Sequence, residues 1–369
     1  MEPKKTPLYD MHVRAGAKMV DFHGWLMPLQ FASILAEHAA VRESAGLFDI
    51  SHMGVMDIAG PGASKLADYV LANDMKTLKT GRARYSPMCN EKGGTVDDVL
   101  AYKLSDAFLR LVVNAANTGK DLAWIAAHNR EQAEVINRSD GFAIIALQGP
   151  RSSEVLRAAD AEARLPTRAY SFLPETRLTG VGCMLARTGY TGEIGYEIFC
   201  APREAPCLWE TLIEAGKAAG ARPCGLGARD SLRLEAGMPL YGNELGEDIS
   251  PLEAGLHAFV DMDDPGFVGA EALMQPVRRR RVGFVVDGRG IPRAGYEVLD
   301  SDGCAIGRVT SGGYSPTLDT GLGMALVPNG WADGKLLVRI RDRQVPANTV
   351  PLPFYRRKQI IRGNAHGDA

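Results

Sequence analysis

The sequence predicts an α+β protein that ends in a separate all-β domain. Three observations carry that prediction. A chain of 369 residues, 46% of them apolar, is longer than one core usually serves, so two or three packed domains are expected. Short strand-like runs occur in clusters with helices between them, not in the strict alternation that builds a parallel sheet. After "PVRRRR", residues 276–281, helical periodicity gives way to short β-like runs separated by Gly turns, which continue to about residue 355.

In chain order, residues 33–45 ("SILAEHAAVRESA") predict a helix with Ser33 as its cap, an apolar stripe, and Gly46 as its stop. Residues 47–60 alternate apolar with polar as a single strand and run into the Gly60-Pro61-Gly62 breaker. Residues 63–74 predict a second helix. "RYSPMCNE", "TVDDVLAYKL", "AFLRLVVNAA" and "FAIIALQGP" are strand-like runs bounded by turn residues, interrupted by an amphipathic helix over 118–132. Residues 182–200 predict two strands around a Gly-rich loop, and 203–220 a further helix. The arginine run at 278–281 reads as a solvated connector between domains with no function of its own. The tail "GNAHGDA", residues 363–369, is expected to be disordered.

Composition excludes several classes of function. Lys plus Arg (42) nearly balances Asp plus Glu (44), and a formal charge of −2 leaves no electrostatic footprint for nucleic acid or an acidic membrane. The six cysteines are scattered, with no CxxC or Cys/His zinc spacing, which points to free thiols in a reducing compartment. The opening "MEPKKTPLYDMHV" lacks an apolar leader and no later stretch is long enough to span a bilayer, so a cytoplasmic location is expected. There is no GxGxxG after a strand, no GxxxxGK[ST], no GxSxG and no HExxH. His23 and His52 read as structural, and no Ser/His/Asp or Cys/His set can be assembled.

What remains are polar residues in unexpected places. Asp97 and Asp98 are adjacent at the start of a strand, where neighbours point to opposite faces, so only one of them can look into a given cavity. Asn114 in "LVVNAAN" stands where a strand core wants another valine. It either caps a turn with Asn117 or meets a ligand, and both readings stay open. Glu197, between Tyr196 and Ile198, reads from alternation alone as a solvent-facing strand position. Arg229, Asp230, Arg233 and Glu235 alternate in sign on a helix ending at Gly237, where pairing along the helix would hold the charges without any ligand.

Taken together, the blocks "MVDFHGW", "LFDISHMG", "YSPMCNEKGGTVDDVLAY", "LVVNAAN", "LQGP", "ARTGYTGEIGYEIF", "PCGLGARDSLRLEAGMPLYGNEL", "SPLEAGL" and "VTSGGYSPTL" resemble, in order and spacing, the T-protein family, the aminomethyltransferases of the glycine cleavage system. The resemblance runs from about residue 6 to residue 355. It implies the three-domain cloverleaf of the tetrahydrofolate-dependent aminomethyltransferases, with folate in a central channel. Residues 1–275 would form the folate-binding region from two intertwined α+β subdomains, and 276–362 a barrel-like C-terminal β domain. The implied reaction takes the aminomethyl group carried by lipoylated H-protein and gives ammonia, 5,10-methylenetetrahydrofolate and dihydrolipoyl H-protein. Tetrahydrofolate is then a co-substrate, and no metal, nucleic acid or membrane is involved.

The resemblance also assigns residues. Asp98 aligns with the family's catalytic acid at the folate N10 region, leaving Asp97 structural on the other pleat face. Glu197 aligns with the reader of the pterin edge and Arg229 with the folate-binding arginine. Tyr85, Asn114 and Tyr190 match channel positions, and Arg233, Tyr241 and Tyr355 stand behind them. Phe354 departs from the pattern, since some family members carry a tyrosine there, so any hydroxyl contact at that position is lost. Two alternatives accompany this reading: a folate-dependent demethylase of a small sulfonium or amine, and a folate-binding protein without turnover.

Overall fold

The structure, a computed structural model, describes residues 2–332 and 334–357. The tail expected to be disordered lies outside them. Two large sheets and a closed barrel make up the body of the protein. One sheet has six strands in the order Phe172–Leu178, Val181–Ala186, Gly195–Cys200, Ala143–Gln148, Gly46–Asp49 and Arg222–Pro223. The other has five, in the order Arg82–Cys89, Thr95–Ser105, Phe108–Val113, Gly54–Ala59 and Glu134–Asn137. The barrel closes through Arg279–Val286, Thr320–Pro328, Ala305–Ser315, Glu297–Leu299, Lys335–Ile340 and Arg343–Val350. A small sheet of Lys4–Lys5, Trp25–Gln30 and Lys18–Phe22 completes the N-terminal part.

The two large sheets share one apolar layer. Phe48, Ala146, Met184 and Phe199 from the six-stranded sheet pack with Val55, Ala83 and Tyr102 from the five-stranded one, and Leu232 of the helix Leu226–Glu235 joins them. Burial of this layer is the dominant favourable contribution and fixes how the sheets face each other. The helix Leu226–Glu235 also carries Leu234 into a cluster with Leu322 and Met324 of the barrel, so it ties both sheets to the third unit. Phe354 lies against that same cluster, in apolar company that needs no hydroxyl.

Local expectations are met or corrected for identifiable reasons. The first long helix spans Ile34–Glu43, and the Ser33 hydroxyl accepts from the Ala36 N–H at 3.2 Å. Gly46 does not stop this helix. It opens a strand where a Cβ would meet Val41 at 2.4 Å and the Cys224 sulfur at 2.6 Å, so close packing excludes any side chain. Residues 47–60 are not one strand either. The chain turns at 50–53, with the Met53 N–H bonded to the Ile50 carbonyl, and the two halves enter different sheets. Both halves are buried, and the polar residues that gave the run its alternation include Asp49 and Asp57, which are buried too. The arginine run is no solvated connector: Arg279 binds Glu253 at 2.9 Å, Arg280 donates to the Trp331 carbonyl at 2.7 Å, and Arg281 to the Gly237 carbonyl at 3.1 Å.

Candidate functional site

Asp97 and Asp98 lie in the strand Thr95–Ser105, just after a register irregularity opposite Met88 and Cys89. Alternation should send the two carboxylates apart. They nevertheless meet at one amide. The pairing of Leu100 with Val112, continued by two residues, sets Asn114 opposite Asp98, and there the neighbouring strand ends and turns into the short helix Ala115–Asn117. The Asn114 side-chain N–H₂ donates to Asp97 Oδ1 at 2.8 Å and to Asp98 Oδ1 at 2.9 Å, while its backbone N–H reaches Asp97 Oδ2 at 3.0 Å. Asn117 adds a bond to Asp97 Oδ1 at 2.7 Å. Of the two readings the sequence left open, the turn cap is present: the Asn114 carbonyl accepts from the Asn117 N–H, while its side-chain amide is spent on the two acids.

The two acids differ in surroundings. Asp97 is fully buried, whereas Asp98 is half-buried and accepts from the Tyr85 hydroxyl at 3.0 Å. Burial pushes the Asp98 carboxyl up to about 7, and the adjacent Asp97 adds to the rise, against the pull of the Tyr85 and Asn114 hydrogen bonds. Tyr85 packs edge-on to Phe259 at 5.0 Å, and burial beside Asp98 raises its phenol well above the ordinary value.

From Asp98 a line of half-buried side chains runs toward the other sheet. Tyr190, in the loop between Val181–Ala186 and Gly195–Cys200, is within electrostatic reach of Arg233, Asp98 and Arg229, and its hydroxyl donates to the Pro239 carbonyl. The Arg229 guanidinium stands 4.7 Å from the centre of the Tyr190 ring, a cation–π distance. Arg229 is in turn within electrostatic reach of Glu197, and burial lowers its proton affinity. Glu197 does not point into solvent as alternation suggested. Its Oε2 accepts from Tyr102 at 3.2 Å and from Thr188 at 2.5 Å, and burial raises its pKa against those bonds. Among the described residues nothing donates to its other oxygen, Oε1.

The remaining expected residues stand around this line. Arg233 is buried and bonded to Asp230 along its own helix, as charge alternation suggested, and also to Ser311 and Glu244 from other parts of the chain. The Tyr241 hydroxyl accepts from Lys120 at 2.6 Å. Tyr355 lies outside the line, with its ring 3.9 Å from the Arg42 guanidinium carbon and its hydroxyl on Glu193; burial and that carboxylate push the phenol up to about 12. Sequence reasoning missed Tyr102, Thr188 and Asp121, and gave Asn117 only a turn, not its bond to Asp97. The 114, 117, 121 spacing across a turn and a helix start was the available signal for Asn117 and Asp121. Two surface concavities, about 860 Å³ beside Met11 and Trp209 and about 540 Å³ beside Phe142 and Phe199, lie apart from these residues. Among the described residues no group of His, Cys, Asp and Glu side chains could hold a metal ion, and no helix is long and apolar enough to cross a membrane.

This fold and site define a two-part enzyme class: residues 8–264 match the family described as GCVT N-terminal domain, and 279–356 match the glycine cleavage T-protein C-terminal barrel domain. An aminomethyltransferase of Moorella thermoacetica is 50% identical over 361 residues, covering 96% of this chain and 98% of that one. One from Caldanaerobacter subterraneus is 46% identical over 96% of each chain. The crystal structure of glycine cleavage system aminomethyltransferase T from Bartonella henselae superposes with a TM-score of 0.89 at 36% identity, over 96% of this chain and 99% of that one. The chain belongs to the T-protein family, the aminomethyltransferases of the glycine cleavage system.

Proposed function

We propose that the line from Asp98 to Glu197 is the tetrahydrofolate site, and that lipoylated H-protein presents its aminomethyl group at the Asp98 end. The observation that carries this is the contrast between the two ends. Glu197 has one oxygen held by Tyr102 and Thr188 and the other open, which leaves Oε1 to accept from an N–H-bearing ligand edge such as that of the pterin ring. Arg229 and Tyr190 between them offer a cation and an aromatic face. At the other end Asp98 binds protons far more readily than an ordinary aspartate, which suits a group that must take up and release a proton near neutral pH.

The roles of the residues follow. Bound tetrahydrofolate supplies the nucleophilic nitrogen that accepts the one-carbon unit. Asp98, fixed by Asn114 and Tyr85, orients that nitrogen and takes up the proton it loses as the C–N bond forms. Its negative charge also favours positive charge developing on the transferred carbon. A neutral ground state gains less from it, so the stabilisation is differential. The test is production of ammonia and methylenetetrahydrofolate from aminomethyl-loaded H-protein and tetrahydrofolate, with Asp98→Asn beside the native chain. Products in proportion to the load, lost in the variant, are expected. Folate binding without product in the native chain would end this reading.

A further inference from the structure

Asp121 stands one helical turn beyond Asn117, on the helix Thr118–Ala127, and is completely buried. Neither of its carboxyl oxygens receives a hydrogen bond from any donor among the described residues. Its neighbour Lys120 is turned elsewhere, to the Val96 carbonyl at 2.7 Å, the Tyr241 hydroxyl at 2.6 Å and Glu247 at 3.4 Å. The group within hydrogen-bond reach of Asp121 is another acid, Asp97. Two acids can be bonded to each other only if one of them carries a proton. Asp97 already accepts three N–H donors from Asn114 and Asn117, which suits the acceptor, and Asp121, without any, suits the donor. Burial, reinforced by the charge and hydrogen bond of Asp97, pushes the Asp121 carboxyl up to about 10.

We propose that Asp121 is a positioning residue for the transfer: it remains a neutral acid at working pH, donates its proton to Asp97, and so holds in place the carboxylate beside which Asp98 gains and loses its own proton. This rests on the role given above to Asp98. The titratable and charged groups facing this cluster are Asp97 on the strand of Asp98, Tyr85 on the neighbouring strand, Tyr190 in its loop, and Asp121 on the helix. Lys120, Tyr241 and Glu247 stand on the Asp97 side, and Arg281 behind Tyr85. The hydrogen bonds that reach Asp97 and Asp98 come from amides and one phenol, so the proton on Asp121 does the work a nearby cation would otherwise do.

Infrared spectroscopy of the full chain labelled with ¹³C-carboxyl aspartate tests this without reference to activity. At about pH 8.5, where Asp98 is largely ionised, a protonated-carboxyl band is expected in the native chain and in Asp98→Asn, and its loss in Asp121→Asn. No such band in the native chain overturns the proposal. Persistence of the band in Asp98→Asn, whatever that variant does to turnover, separates this proposal from the role of Asp98. The pH dependence of kcat supplies the second reading. Asp121→Asn keeps an N–H for Asp97, so kcat within about threefold and an unmoved acid limb are expected. Asp121→Leu has no donor for Asp97, so the carboxylate beside Asp98 is no longer held in place, its effect on Asp98 weakens, and the limb moves down by about one pH unit. Identical limbs in the Asn and Leu variants overturn the proposal; if the Leu variant does not fold, the infrared result decides.

Discussion

Two of the buried charge clusters among the described residues, around Glu235 and around Asp98, are built on opposite terms. Around Glu235 every charge is met: the carboxylate accepts from Arg42 at 2.9 Å, Ser315 at 2.5 Å, and the Thr317 hydroxyl and N–H at 2.8 and 3.0 Å, with His38 at 3.2 Å. Burial would raise its pKa, but the bond and charge of His38 and the two hydroxyls outweigh it and hold the group at about 2. Around Asp98 three acids crowd together with amides for partners, and proton affinity moves the other way. Burial is common to both clusters, so burial alone says nothing about function. What separates them is whether the charge is compensated: the compensated cluster fastens the helix Leu226–Glu235 to the barrel, and the uncompensated one is left with a proton to trade.

That contrast can be broken at either end. The largest effect is expected from Asp98→Asn, with turnover down about 10³-fold or more and folate affinity within about tenfold, read from single-turnover rates and equilibrium binding. Equal losses in both would make Asp98 a binding residue. The same substitution should stabilise the fold above neutrality. A carboxyl whose pKa is about 7 when folded and 3.8 when free loses stability as pH rises between those values, so removing it gains most above pH 7. The ceiling is about 4 kcal/mol, and half-exposure reduces the expectation to about 1–2 kcal/mol, seen as a higher Tm at pH 8 than the native chain.

Where buried charges are compensated, around Glu235 and at the separate Arg233–Glu244 pair, the signs reverse. Arg233→Leu strands buried Glu244 and should cost about 3–5 kcal/mol in thermal or denaturant unfolding. Glu235→Gln should cost about 2–3 kcal/mol at neutral pH. The depressed carboxylate contributes stability that is complete above about 4.5 and fades as pH falls toward 2, so this difference from the native chain should shrink over that window. Glu197→Gln should weaken folate binding by about tenfold, or 1.4 kcal/mol, with a smaller change in turnover at saturation. Smallest of all, Tyr85→Phe removes a bond that favours the Asp98 anion, and the acid limb of the rate profile should rise by about half a pH unit or slightly more. In the native chain that limb should lie near pH 7, with the rate increasing as Asp98 ionises.

Much of the protein is legible along the chain because its cues are local. Ser33 predicted its own cap, the strand-like run at 95–104 bounded by turn residues predicted a strand, and the loss of helical period after residue 276 marked the barrel. Errors came where a distant neighbour overrode the local cue. Gly46 looked like a helix stop, but Cys224 and Val41 are what forbid a side chain there. Residues 47–60 looked like one strand, but the chain turns at 50–53 and its two halves enter different sheets. Glu197 looked solvent-facing until Tyr102, 95 positions earlier, was found bonded to it.

From sequence alone came the local elements, the two-part organisation and, through ordered motif blocks, the family and the acid pair. Which charges are cancelled and which are left with a raised proton affinity was decided only in the tertiary structure. Arg42 meets Glu235 across 193 positions, and Asp121 reaches Asp97 from a separate helix. A carboxylate's proton affinity depends on the distance to such partners and on the exclusion of water, and both are set by how sheets, helix and barrel pack together.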